Sequence, residues 1–466
     1  MASTPSPFTP GSFTPNPSTP NPSTADASTP EQPGRPVRAR PAGPYRHRRR
    51  LLLPGAAALT AAALLAGAAP PASAVSGPRP LPAHAAPGTP TQPASAPAPA
   101  GPAPAGRPAP SAPVPALNPS ALRAAIDDLE HPPVTAAQVR ISGSAGSWYG
   151  ASGVADLRSG RKVRPDDRFK VGSVTKVFVA TVVLQLVAEG RVDLDTPIQH
   201  YLPDALPASY APVTVEQLLN HTSGLPAEVG WPDMSTPEAV FEHRFDHWTR
   251  EQRLATLPPG PMKFEPGERQ EYRGVNYVLA ALLVEKVTGR HFGEAIGARL
   301  LRPLGLRHTS VPVDDPGIRG LHVRGYLEMF DGTLRDITAF DPSASFGQGE
   351  MISTTGDLTR FITALFSGRL LPPRLLERMF TVPEGVTMTD GSPARYSTGL
   401  QTATVNGVTF WGKTGERYGY AGGMFATRDQ QRRLVYAFNP THRDDTQTEM
   451  TLRIADAATR APEASG

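Results

Sequence analysis

Between Ser173 and Leu186 apolar residues recur at helical spacing on nearly every face, and Gly190 ends the run, so a buried helix is expected there. A shorter helix is expected over Ser120–Leu129, capped by Ser120. Gln138–Ile141 and Ser147–Ala155 alternate in polarity across a Gly/Ser-rich turn, the pattern of a hairpin. Helical periodicity returns in Val215–Asn220, Pro237–Leu257, Val275–Thr288, Phe292–Leu301, Thr355–Ser367 and Pro372–Met379. The period then shortens: Ser397–Val405, Val408–Trp411, Tyr420–Ala426 and Leu434–Phe438 read as strands joined by turns such as Asn406-Gly407. This order predicts an α/β (α+β) fold. One antiparallel sheet is formed by N- and C-terminal strands and flanked by helices, and a large helical region, about 190–385, is inserted between them.

The first 117 residues cannot join that core. Residues 1–45 are rich in Pro, Ser and Thr and nearly free of large apolar residues, a composition expected to be disordered. Arg46-His47-Arg48-Arg49-Arg50, the apolar stretch Leu51–Ala69 and Ala72-Ser73-Ala74 then supply the three parts of a secretory signal over 46–74. The competing reading is an uncleaved anchor formed by residues 51–69, although Pro54, Gly55 and the many alanines leave that run weakly hydrophobic. Residues 75–117 carry fourteen prolines and read as a semi-rigid spacer. The folded domain is placed at 118–460. After signal cleavage the chain is expected to be secreted or cell-wall associated, monomeric and without stable membrane contact.

Charge adds one exclusion. The leader holds most of the basic excess: residues 1–74 have a net +5, against +4 for the whole chain. The remainder is near neutral, which gives nucleic acid no reason to bind. Cysteine is absent, so disulfides, thiolate metal sites and a cysteine nucleophile are excluded.

Lysine is scarce, six of the 46 basic residues. Arginine stays protonated in proteins, whereas burial can turn lysine into a proton acceptor. Lys176 lies three residues after Ser173 at the start of the apolar helix, and that spacing puts both on one face. Ser173 at a helix start has the polarity a nucleophile needs, but the pair would serve equally as a cap and a surface lysine. Lys413-Thr414-Gly415 places a cation, a hydroxyl and a glycine on a strand, where an extended substrate could add as a further strand. Tyr272 stands at a loop-to-helix junction. To act as a base it would need its phenol pKa depressed, which two nearby ammonium groups would supply.

Taken together, Phe169–Lys176, Val213–Leu225, Phe264–Tyr277, Gly349–Thr354 and the Lys413-Thr414-Gly415 run resemble the serine β-lactamase/DD-peptidase family. The nearest branch is that of class C β-lactamases and secreted D-alanyl-D-alanine carboxypeptidases, and the likeness covers roughly Leu122 to Asn439. It implies an acyl-enzyme on Ser173, with Lys176 and Tyr272 as the acid/base groups. Lys413, Thr414 and Gly415 would bind substrate, and the backbone N–H groups of Ser173 and Glu416 would form an oxyanion hole. No cofactor or metal is implied. The partner expected is the D-Ala-D-Ala end of a cell-wall stem peptide, or a small β-lactam or ester. The reading is a D-alanyl-D-alanine carboxypeptidase. The alternatives are a β-lactamase or esterase of the same family, or a penicillin-binding, sensor-like domain that acylates without turnover.

One position departs from the family pattern. Where its Y-x-N element has asparagine, this chain reads Tyr272-Arg273-Gly274, which predicts weaker selection for amide-bearing substrates and an esterase-leaning enzyme. Asn276 and Arg273 are the nearest substitutes, neither of them in register. His243 and His247, at i and i+4 of the expected Pro237–Leu257 helix, have metal-binding spacing but no third ligand. His221 belongs to an element that is structural in the family.

Overall fold

The computed structural model describes residues 113–462. The segments read as an N-terminal extension, a signal and nearly all of a spacer lie outside the described residues.

The core of the domain is a seven-stranded antiparallel sheet. Its strands are β1 (Val134–Ser142), β2 (Trp148–Asp156), β3 (Arg161–Lys162), β4 (Gln401–Val405), β5 (Val408–Arg417), β6 (Tyr420–Ala426) and β7 (Arg433–Pro440), in the spatial order β4-β5-β6-β7-β1-β2-β3. The two ends of the chain meet at the β7–β1 pair, where Val139 faces Tyr436 and Ile141 faces Leu434. Alternation along β7 builds two separate cores: Val435 and Ala437 face one layer of helices, Leu434, Tyr436 and Phe438 the other. The second layer is α1 (Pro119–Asp127) and a C-terminal helix, α5 (Thr446–Thr459), which buries Met450, Ile454 and Ala458 against the sheet.

Across the other face run α2 (Thr175–Ala188), α3 (Val275–Thr288) and α4 (Thr355–Phe366). The apolar residues of α2 are buried on every side because the helix lies between the sheet and the inserted helical region. Phe178 stacks on Phe361 of α4 with ring centroids 3.7 Å apart. Burying a side chain of this size stabilises by about 1.5–3 kcal/mol.

Four details differ from the sequence expectations. Asn118, not Ser120, caps α1: its Oδ1 accepts from Ala121 N–H, and Pro119 takes the first helical position. The single helix expected over Pro237–Leu257 is broken into Pro237–Glu242, a 3₁₀ turn and Arg250–Ala255. Asp246 is extended there, and Thr249 starts the second helix with a reciprocal cap to Gln252. Helix α5 carries Thr at four positions and shows little apolar periodicity, so it goes unread in the sequence. Finally, β5 runs on to Arg417 and takes in Lys413-Thr414-Gly415.

Candidate active site

Two of the sequence motifs are zipped together. Phe169 pairs with Ser353 and Lys170 with Ile352, and Val171 N–H donates to Met351 O at 2.9 Å. This short ladder delivers Ser173 on a 3₁₀ turn, Gly172–Val174, immediately before α2. Gly172 has φ +52°, and the turn packs backbone to backbone on β5. A Cβ on Gly415 would fall 2.9 Å from Ser173 N, so the amides of Ser173 and Glu416 are brought to one place with no side chain between them.

Around Ser173 Oγ, Lys176 Nζ lies at 3.2 Å and the Tyr272 hydroxyl donates at 2.7 Å. Lys176 is only 2 % exposed, and its Nζ also donates to Gln348 O at 2.7 Å. Burial, reinforced by the nearby charge of Lys413, holds its amine well below the usual lysine range, so a neutral, proton-accepting form is accessible. Tyr272 behaves in the opposite way. Burial pushes its phenol above the ordinary value, and it rests protonated as a donor. The expectation of a depressed tyrosine pKa is therefore corrected: desolvation outweighs the two amines, although Lys176 and Lys413 stand 5.0 and 4.7 Å from the ring centroid.

His221 braces this arrangement. Its ring lies 4.5 Å from that of Tyr272 and 5.0 Å from that of Tyr396, and its Nδ1 accepts from Arg273 N–H and Asn276 Nδ2. Burial first, and then the two lysines, depress its pKa far enough to keep it neutral. Both substitutes considered for the missing asparagine are occupied elsewhere. Asn276 is held by Ser223 and His221, and the guanidinium of Arg273 is paired with Glu271 at 2.9 Å.

Lys413, 3 % exposed, reaches Gln401 Oε1 at 3.2 Å and Thr414 Oγ1 at 3.4 Å, and burial pushes its pKa down to about 7. Strand β4 begins at Gln401 opposite Gly412, so from Lys413 onward β6 is the only ladder partner of β5 among the described residues. The lysine and threonine thus mark the start of a free strand edge beside Ser173.

A cavity of about 340 Å³ opens at Ser173. Trp231, Met234, Trp248, Phe340 and Tyr418 line it together with polar groups that include Asp246, Gln348, Glu416 and Arg417. The indoles of Trp231 and Trp248 lie 4.4 Å apart. The break after Phe245 is what brings Trp248 here. It also separates the two histidines: His243 pairs with Asp246 at 2.7 Å and His247 with Asp341 at 3.2 Å. The metal-spacing pair is not one helical face.

Sequence reasoning finds Ser173, Lys176, Tyr272, Lys413, Thr414, Gly415 and Glu416, and the structure brings all seven to one end of the sheet. It misses Gln348, whose part is played by a backbone carbonyl, and the indole wall.

Residues 122–459 match the beta-lactamase family. The chain belongs to that family. A D-stereospecific amidohydrolase from Streptomyces superposes with a TM-score of 0.61 at 33% identity, covering 71% of this chain and 97% of that one. Esterase EstB of Burkholderia gladioli is 36% identical over 176 residues, 36% of this chain and 44% of the esterase. The D-alanyl-D-alanine-carboxypeptidase/endopeptidase AmpH of Escherichia coli is 29% identical over 219 residues, 46% of this chain and 53% of AmpH. The chain thus spans about half the length of these two curated relatives. The beta-lactamase fold of this chain is that of a family of serine hydrolases that includes DD-carboxypeptidases, esterases and amidases.

Proposed function

We propose that the protein hydrolyses amides and esters of D-amino acids, or of similarly shaped acids, that carry an aromatic or large apolar side chain. One observation carries this reading: the cavity beside Ser173 is walled by two indoles, a phenyl and a phenol, far more apolar surface than the methyl group of an alanine would fill. The Streptomyces amidohydrolase, which the chain covers almost end to end, supports it.

Ser173 Oγ attacks the carbonyl carbon while its proton passes to the neutral Lys176 amine. The carbonyl oxygen turns toward the Ser173 and Glu416 N–H groups. Tyr272, 2.7 Å from Oγ, then gives its proton to the departing nitrogen or oxygen and is reprotonated from Lys176. Water repeats the sequence on the acyl-enzyme. The test is kcat/KM for the amides of D-phenylalanine, L-phenylalanine and D-alanine. The D-phenylalanine amide should lead both others by at least about tenfold, and equal rates for all three would defeat the reading.

The second reading, a D-alanyl-D-alanine carboxypeptidase, is favoured by Lys413 and Thr414, a cation and a hydroxyl placed to hold a terminal carboxylate. A stem-peptide analogue ending in D-Ala-D-Ala, cleaved faster than the amides, would establish it. An acylation burst with penicillin and no later release would instead mark a sensor-like domain. We also propose that the protein is exported. Expressed in a secreting host, its mature N-terminus should lie near Val75, and a product retaining residues 46–74 would identify an anchor instead.

A further inference from the structure

Gly274 opens α3 with ordinary helical backbone angles, φ −64° and ψ −44°, so conformation alone does not call for glycine there. Space does. A Cβ at this position would fall 1.8 Å from Gln348 Oε1 and 2.9 Å from Gln348 Cδ. The region beside Tyr272 that a side chain at 274 would enter is already filled by a carboxamide arriving from another segment.

Gln348 is held at three points, two on its backbone and one on its carboxamide. The Gln348 backbone N–H donates to Ser345 O at 2.9 Å, its carbonyl accepts from Lys176 Nζ at 2.7 Å, and its Nε2 donates to Ala344 O at 3.3 Å. With Nε2 so engaged, Oε1 is the free end of the amide, and among the described residues no donor reaches it. Gln348 is half-buried and lines the cavity with Ser173. The other groups around Ser173 Oγ mostly donate: two backbone N–H groups, a phenol and a lysine. Gln348 Oε1 is thus a fixed, neutral acceptor beside them.

We propose that Gln348 determines specificity, its Oε1 accepting a hydrogen bond from the N–H on the acyl side of the scissile carbonyl. It takes the place of the side chain that Gly274 lacks. The preference for plain esters expected from Gly274 is then cancelled, and substrates with a nitrogen next to the reacting carbonyl are selected. This rests on Ser173 being the acylated nucleophile.

The test uses two p-nitrophenyl esters that differ only in the acetamido group carrying that N–H, those of N-acetyl-D-phenylalanine and of 3-phenylpropanoic acid. The quantity read is the ratio of their kcat/KM values, or of their acylation rates if the acyl-enzyme does not turn over. Gln348→Met keeps the length of the side chain, and the carbonyl that holds Lys176, but removes the acceptor; it should lower the ratio about tenfold. Gln348→Ala should do the same, and Gly274→Asn added to Gln348→Ala should restore it, since asparagine is well tolerated at a helix start. A ratio unchanged in Gln348→Met, including both rates falling by one factor, overturns the proposal. So does a double variant that stays as low as Gln348→Ala. Acylation of both esters that survives in Ser173→Ala overturns the underlying nucleophile assignment instead, which separates the two failures.

Discussion

A Cβ placed on Gly172 would lie 2.4 Å from Glu416 N and 2.6 Å from Glu416 O. The turn that carries Ser173, the proposed nucleophile, and the strand that carries Glu416, the proposed second oxyanion donor, are therefore in backbone contact, and glycine is the condition for it. Its φ of +52° adds roughly 1–2 kcal/mol against any other residue. Gly172→Ala should push the turn away from β5 and open the pair of N–H groups. Loss of one such donor typically costs about 10²–10³ in kcat, and a loss of that order is expected for activated esters. A variant that folds and acylates at the wild-type rate would remove the oxyanion role from these two amides.

Ser173→Ala should abolish the penicillin or ester adduct seen by mass spectrometry. It should leave thermal unfolding almost unchanged, because the Ser173 side chain caps no helix. An adduct that persists, or that maps to another serine, would displace Ser173 as nucleophile.

The two buried lysines should separate under the same substitution. Lys176→Arg puts a permanent cation where a neutral amine is needed and should cost about 10²-fold or more in kcat. Lys413→Arg keeps the charge at the strand edge and should act mainly on KM for substrates ending in a carboxylate. Identical effects on kcat and KM from both variants would contradict this division.

The proximity of Ser173 and Lys176 could be read from sequence because both a 3₁₀ turn and a first α-helical turn bring residues three apart onto one face; their proposed chemistry comes from the family resemblance. The sheet was legible because β6 and β7 are short, largely apolar runs bounded by turn residues, the pattern of strands buried on both faces. What could not be read depends on three-dimensional accidents. Trp248 reaches the cavity only because Asp246 breaks a helix that the polarity pattern would continue. Gln348 contributes a carbonyl to Lys176, and every residue has a carbonyl. Gly274 looked like a deletion of function, and no pattern along the chain shows that its missing side chain leaves room for an amide from residue 348. Helix α5 went unseen because its burial rests on Met450, Ile454 and small alanines, among threonines that suit other conformations equally well.

The indole wall makes a prediction about side-chain choice. Trp248→Ala removes much of the apolar surface facing a substrate side chain while leaving the contacts of Ser173, Lys176 and Tyr272 untouched. The preference for a D-phenylalanyl over a D-alanyl amide should fall about tenfold, equivalent to about 1.4 kcal/mol. Loss of activity toward both amides by the same factor would mean that Trp248 supports the fold of the cavity instead of reading the substrate.

The pH dependence should depend on the substrate. Lys413 is pushed down to about 7 by burial, so its ammonium is present below that pH and is lost as the pH rises through it. A substrate that needs this charge for its carboxylate should lose kcat/KM on the alkaline side, approaching tenfold per pH unit well above 7. Lys176 works in the other direction. Its neutral amine is the reactive form, and burial and the Lys413 charge lower its pKa, so activity toward every substrate should fall as acid protonates it. A peptide ending in a carboxylate should therefore give a bell-shaped profile across the acid-to-alkaline range, its alkaline limb above about 7, and a neutral ester only the acid limb. The two lysines interact, so the limbs report the pair jointly. Lys413→Arg decides the assignment, because arginine stays charged throughout this range. In that variant the alkaline limb for the peptide should disappear while the acid limb remains. An alkaline limb that persists in Lys413→Arg, or the same bell for ester and peptide in the unaltered protein, would show that a group other than Lys413 holds the carboxylate.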